Sequence, residues 1–220
     1  MPIKPIPAIN QIIAEELNVK LSQVDAAITL LDEGATVPFI SRYRKEVTGG
    51  LDDSQLRQLN ERLGYLRELG ERRKSVLASI EEQAKLTPEL RTAIEQADTK
   101  TRLEDLYLPY KKKRRTKGQI AIEAGLESLA DAIMQDFNVE PETLASEYIN
   151  DDISDSQAAL DGAKFILMER FAEHADLLAR LRALIADKGM LMSSVSKDKE
   201  EQGEKFRDYF DYREPITKVP

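Results

Sequence analysis

Roughly thirty residues, from Asp53 to about Gln83, keep a helical period almost without interruption, and this stretch limits what the chain can become. Leu56, Leu59, Leu63 and Leu66 form a narrow, heptad-like seam. The seam then shifts to Leu69, Val76, Leu77 and Ile80, past Gly70 and the Arg72-Arg73-Lys74 cluster. Asp52 or Asp53 supplies an N-cap. At ~1.5 Å of rise per residue such a helix spans about 45–50 Å. So long a helix with so narrow a stripe predicts a strut packed by partner helices. A coiled-coil dimer is the alternative, weakened because the seam fails after two heptads.

The rest of the chain follows the same period, and strand-like alternation is nearly absent. The proline-rich start is expected to be extended up to Pro7. A first helix is expected over Ala8–Leu17. Ser22 is expected to cap a second, Val24 to about Glu33, that stops at Gly34. The pair has helix-turn-helix spacing, but Asp25, Thr29, Asp32 and Glu33 give its second helix no cation for DNA readout. It reads better as a plain helical hairpin. Phe137–Leu144 echoes Leu17–Val24 and predicts a second hairpin built by the same rule. Pro38 suits the first turn of a short helix bearing Phe39, Ile40 and Tyr43. Thr87-Pro88-Glu89 opens another helix, and Thr101 is expected to cap a short one ending at Leu108-Pro109. Ile122, Leu126, Leu129, Ile133 and Phe137 share one face of a predicted helix. Pro141 starts the next. Ser156 is expected to cap a helix carrying Leu160, Ala163, Leu167 and Phe171. Leu177, Leu178, Leu181, Leu184 and Ile185 mark a further helix ending near Gly189. Met190–Val195 reads as a strand or a connector, and Lys197–Tyr212 as a polar helix. The fold class is therefore all-α: an elongated multi-helix array of helical hairpins, helix-turn-helix-like, with one long strut helix. Four parts are expected: a hairpin and short basic helix (1–50), the long helix and basic loop (51–117), a helical bundle (118–212) and a linker (213–220).

Composition removes several functions. Of the 220 residues none is cysteine, which excludes disulfides, thiolate metal sites and cysteine nucleophiles. No apolar run approaches the ~18 residues of a membrane helix, so a cytoplasmic protein without membrane partners is expected. The lone histidine, His174, reads as a surface or capping residue. Asp52-Asp53 and Asp151-Asp152 read as capping and solvation, with no further ligands at metal spacing. Gly49-Gly50 lacks the Lys-Ser or Lys-Thr of a phosphate loop. No catalytic residue, metal or cofactor is assigned, and the chain is not expected to be an enzyme.

The chemistry concentrates elsewhere. Tyr107-Leu-Pro-Tyr110 is followed by Lys111, Lys112, Lys113, Arg114, Arg115, Thr116 and Lys117. Residues 1–117 hold 21 Lys+Arg against 18 Asp+Glu, and residues 118–220 hold 11 against 22. On a chain of net charge −8, so dense a cationic run is where a polyanion would dock. The run can track a phosphate backbone, or it can be a solvated loop facing an acidic surface of the same chain. Tyr107 and Tyr110 can stack on bases or pack a helix end. Arg42, Arg44 and Lys45 form a smaller cluster, open to internal salt bridges or to an extension of the phosphate path.

Three long motifs carry a resemblance. They are Thr36-Val-Pro-Phe-Ile-Ser-Arg-Tyr-Arg-Lys-Glu-Val-Thr-Gly-Gly-Leu-Asp-Asp53, Asp105-Leu-Tyr-Leu-Pro-Tyr-Lys-Lys-Lys-Arg-Arg-Thr-Lys117 and Lys205-Phe-Arg-Asp-Tyr-Phe-Asp-Tyr-Arg-Glu-Pro215. In this order they closely resemble the bacterial Tex family of transcription accessory proteins. That family is related to a eukaryotic transcription-elongation and histone-chaperone factor. One departure is visible: the family usually has a proline after the first lysine of the basic loop, where Lys112 stands here. The loop should be more flexible and one charge richer. The resemblance implies an N-terminal helical region of a longer protein. Beyond it the family carries an RNase H-like domain, helix-hairpin-helix elements and a C-terminal OB fold that is credited with most nucleic-acid affinity. The implied function is a helical module of a nucleic-acid-binding transcription accessory protein, adding weak, sequence-independent phosphate contacts to RNA or DNA. The alternative is a protein–protein scaffold that docks RNA polymerase, transcription factors or the protein's own C-terminal domains without touching nucleic acid.

Overall fold

The computed structural model describes residues 8–136 and 138–219. The proline-rich start and Phe137 lie outside them. The fold is all-α, with one small two-stranded sheet. The chain divides into two compact units, residues 1–107 and residues 108–220.

In the first unit α1 (Ile9–Leu17), α2 (Leu21–Asp32) and α3 (Val37–Tyr43) precede α4 (Asp53–Glu82), and α5 (Pro88–Glu95) and α6 (Lys100–Tyr107) follow it. α4 is the strut that the seam predicts. The Asp52 carboxylate accepts from the Gln55 N–H at 2.8 Å, and the Gln55 side chain accepts in return from the Asp52 N–H at 3.0 Å. These two bonds satisfy orphan groups at the helix start. Leu56, Leu59, Leu63, Leu66, Leu69, Val76 and Ile80 are all buried, so the seam is consumed within the unit and not left open for a second chain. All five other helices pack against α4. Ion pairs fix their places along it: Arg62 with Glu16, Arg67 with Asp32, Arg72 with Glu104, and Arg91 with Glu81. Asp32 and Asp25 of α2 are thus committed inside the unit, Asp25 accepting from Asn10 at 2.5 Å.

In this unit two caps differ from expectation. α2 starts at Leu21, because the Gln23 side chain accepts from the Lys20 N–H at 3.0 Å and closes the turn before Ser22 can act. α6 is capped by Thr99, whose hydroxyl accepts from the Arg102 N–H, and not by Thr101. Gly34 ends α2 at φ +90°, as its position requires.

In the second unit a 3-10 turn (Leu108–Tyr110) leads into the basic loop. The helices α7 (Lys117–Glu123), α8 (Glu127–Gln135) and α9 (Pro141–Ser146) then gather on α10 (Ser156–Ala172). The expected single helix over 122–137 is two helices. Gly125, at φ +85°, takes the left-handed conformation that closes α7 and restarts the chain as α8. Asp155, not Ser156, caps α10, accepting from the Ala158 N–H at 2.8 Å. The buried stripe of α10 is Ala159, Gly162, Ala163 and Ile166. It is rotated from the expected leucine face, and Phe171 stays exposed. Small residues win because they let the α7–α8 segment approach closely: a Cβ on Gly162 would fall 2.3 Å from Cδ1 of Leu126, which caps α8, and 3.4 Å from Cβ of Ala121 on α7.

α11 (Ala175–Lys188) follows, capped by His174, whose Nδ1 accepts from the Leu177 N–H at 3.2 Å. β1 (Met190–Ser194) pairs antiparallel with β2 (Asp211–Pro215), Met190 opposite Pro215 and Ser194 opposite Asp211. The stretch expected to be helical over 197–212 is instead irregular, with a 3-10 turn at Glu204–Tyr209 and the start of β2. Residues 213–215 are strand and not linker.

Candidate functional site

The basic loop is braced from within the second unit. Lys113 pairs with Glu169, at 3.1 Å, and with Glu173; Glu169 lies in the last turn of α10 and Glu173 is its C-cap. The Thr116 hydroxyl does two things. It donates to Glu169 at 2.7 Å, and it accepts from the Gln119 N–H at 3.0 Å, which caps α7. The Lys117 ammonium lies 4.7 Å from the centre of the Phe165 ring. Arg115 donates through Nε to Glu123 at 3.0 Å. Gly118 allows the close approach: a Cβ there would meet Phe165 O at 3.1 Å and Glu169 Oε2 at 2.3 Å. Burial alone would raise the Glu169 carboxyl, but hydrogen bonds from Thr116 and Lys113 outweigh it and hold the group below the ordinary carboxylate value. The Arg115 hydrogen bond holds Glu123 down in the same way.

The run therefore divides by position. Lys113, Arg115 and Lys117 point to partners in the same unit. Lys112 and Arg114 between them are exposed and have no ion pair among the described residues. Lys111 is half-buried, as is Tyr110. Tyr107 ends α6 in the first unit, where its hydroxyl shares a 3.0 Å hydrogen bond with Ser79 and its ring lies 5.3 Å from the Arg72 guanidinium. That is helix-end packing on α4.

Arg42, Arg44 and Lys45 also belong to the first unit, on α3 and the turn after it. All three are exposed. Arg44 donates to the Tyr43 carbonyl at 3.0 Å and lies over the Phe39 ring at 5.3 Å. None of the three makes an ion pair among the described residues. The sequence reading missed Glu169 and Glu173 as the anchors of the loop. Their spacing of one helical turn was visible, but nothing local says that Lys113 reaches them from 56 residues away.

No group of three or more His, Asp or Glu able to hold a metal ion occurs among the described residues. No helix among them is long and apolar enough to cross a membrane. What the fold and the braced loop define is an all-α helical-hairpin scaffold that presents cations from a fixed backbone. The Tex-like protein N-terminal domain matches residues 7–81 and the Tex central region-like domain matches residues 136–220. Protein YhgF of Escherichia coli is 60% identical over 212 residues, covering 96% of this chain and 27% of that protein. Transcriptional accessory protein Tex of Neisseria gonorrhoeae is 58% identical over 212 residues, covering 96% of this chain and 28% of that protein. The human S1 RNA-binding domain-containing protein 1 is 30% identical over 193 residues, covering 85% of this chain and 19% of that protein. The chain belongs to the Tex family, and it spans little more than a quarter of the length of its bacterial relatives.

Proposed function

We propose that this chain is a helical module of a cytoplasmic transcription accessory protein and adds an auxiliary phosphate-backbone contact to RNA or DNA. Lys112 and Arg114 make the contact. Lys113, Arg115 and Lys117 hold the loop in place. One observation carries the reading: exposed cations with no ion pair among the described residues alternate with cations anchored on α10, its C-cap and α7. A purely internal clamp has no use for Lys112 and Arg114. The names of two relatives, one a transcriptional accessory protein and one an S1 RNA-binding domain-containing protein, point the same way. The module acts by binding and not by catalysis. His174, Asp52 and Asp155, residue types suited to acid–base chemistry, cap helices. Docking of RNA polymerase or of further domains remains the alternative role for the same scaffold.

Fluorescence anisotropy with a labelled single strand, taken across a salt series, tests this. Each neutralised phosphate on a single strand contributes about −0.7 to the slope of log K against log salt. Lys112→Ala/Arg114→Ala should therefore flatten the slope by about 1.4 and leave the helical circular dichroism signal unchanged. An unchanged slope, or Mg²⁺-dependent breakdown of the bound strand in the same assay, overturns the reading.

A further inference from the structure

α3 presents its residues in an unusual way. Ile40 is fully buried against the core, while Phe39 and Tyr43, at i and i+4, face outward at 41% and 62% exposure. Their ring centroids are 5.4 Å apart and the rings are tilted by 44°. Arg44 covers Phe39, which leaves the Tyr43 ring as the open surface. A single exposed aromatic needs no explanation, but this pair sits among cations. Elsewhere in the unit, Arg57, Arg62, Arg67, Arg72 and Arg91 each pair with a carboxylate, and Arg73 donates to the Ala97 carbonyl. Arg42 and Lys45 pair with none among the described residues. Of the acids on the adjoining stretches, Glu46 is exposed, and Asp53 is held by Arg57 at 2.7 Å and feels the Arg42 charge only as a lesser influence, without an ion pair to it.

The backbone that carries these cations is locked. Thr48 is fully buried, and its hydroxyl lies 3.2 Å from the Lys45 carbonyl oxygen, to which it donates. The Gly50 N–H donates to the Lys45 carbonyl at 2.9 Å, and Gln23 of α2 donates to the Gly49 carbonyl at 2.8 Å. Gly49 and Gly50 take φ of +61° and +92°, which lets the turn close. Arg44 and Lys45 are therefore presented from a fixed turn and Arg42 from α3, so binding orders side chains but not backbone.

We propose that this face of α3 is a stacking site for single-stranded nucleic acid, in which Tyr43, supported by Phe39, takes a base while Arg42, Arg44 and Lys45 take the flanking phosphates. Every base has a π-face, so the site is indifferent to sequence and selective for unpaired strands. It rests on the reading that this chain contacts nucleic acid, but it lies in the other unit and is tested separately.

The experiment uses the whole chain, a labelled oligouridylate and a strand of equal length made of abasic residues. The abasic strand keeps the phosphates and removes the bases. Tyr43→Ala should weaken binding to oligouridylate by about fivefold or more, the lower range for loss of one base–aromatic stack. Tyr43→Phe should bind like the parent, and Tyr43→Leu should bind like the alanine variant. Binding of the abasic strand should not change in any of the three. An unaffected Tyr43→Ala, a leucine variant that binds fully, or equal weakening on the abasic strand overturns the site while leaving the Lys112/Arg114 reading intact. Polyglutamate that competes as well as the oligonucleotide overturns it in favour of an acidic protein partner. A parent protein that binds neither strand overturns both readings.

Discussion

Lys112 and Lys113 are neighbours of one type with different surroundings. A run of six cations reads as uniform in sequence; what separates the two is the end of α10, where Glu169 and the C-cap Glu173 take Lys113 and leave Lys112 to solvent. The run itself was legible, and so were its aromatic flank and the scarcity of positive charge around it. The partners were not, because ion pairing across 56 residues depends on the fold and leaves no local pattern. The same pairing makes stability depend on pH. Glu169 titrates below its ordinary value in the folded protein, so its contribution is complete above the ordinary carboxylate range, about 4.3. It is lost as the pH falls through that range toward the folded value. Glu169→Gln keeps the shape and removes the charge. Denaturation by urea at pH 7 and at pH 4 should show the parent losing more stability on acidification than the variant. Equal losses would show that Glu169 titrates alike in the folded and unfolded chains.

Among the elements, α4 and α5 are legible because two independent signals coincide in each. α4 has both a cap at Asp52 and a seam that stays buried through Ile80. α5 has Thr87, an N1 proline and an acidic first turn. Elsewhere the fold departs from the sequence pattern for identifiable reasons. The apolar spacing through Ile122, Leu126, Leu129 and Ile133 runs across Gly125 because α7 and α8 both pack on α10, so the register persists although the helix does not. On α10 the large leucines suggested the inner face, yet helix contacts here are set by alanine and glycine, whose low bulk brings backbones together. Past Gly189 the polar helix read over 197–212 does not form, and the strand pairing between residues 190–194 and 211–215 that replaces its end is invisible without tertiary structure. The strut carries its own prediction. Leu63 is 4% exposed, near the middle of the seam. Leu63→Ala should cost roughly 2–5 kcal/mol in urea denaturation, by loss of transfer energy and by the cavity left between α4 and its partners. A cost below about 0.5 kcal/mol would mean that the seam relaxes without a void, contrary to the close packing of protein interiors.

On the scale of the whole molecule, charge sets how strongly any polyanion can be held. The sequence divides by charge at residue 117, but the contacts divide it at Tyr107 and Leu108. Counted by structural unit, residues 108–220 hold 17 Lys+Arg and 22 Asp+Glu, so the basic loop belongs to a unit that is acidic overall. In the proposed contact Lys112 and Arg114 work against a repulsive background from the rest of the chain, at net −8. That background acts over distance and is screened, with a Debye length of about 10 Å at 0.1 M salt and about 30 Å at 0.01 M. Glu200, Glu201 and Glu204 are exposed, belong to the irregular segment between the strands, and make no ion pair among the described residues. Changing all three to glutamine removes three negative charges without touching either proposed contact. Affinity for a single strand should rise several-fold at 0.01 M salt, where the field reaches the strand, and should be unchanged at 0.15 M, where it does not. Anisotropy at the two salt concentrations distinguishes this from a local effect. A gain that persists undiminished at 0.15 M would place these glutamates beside the bound strand, and the repulsion would then be a contact in the interface and not a property of the molecule's field.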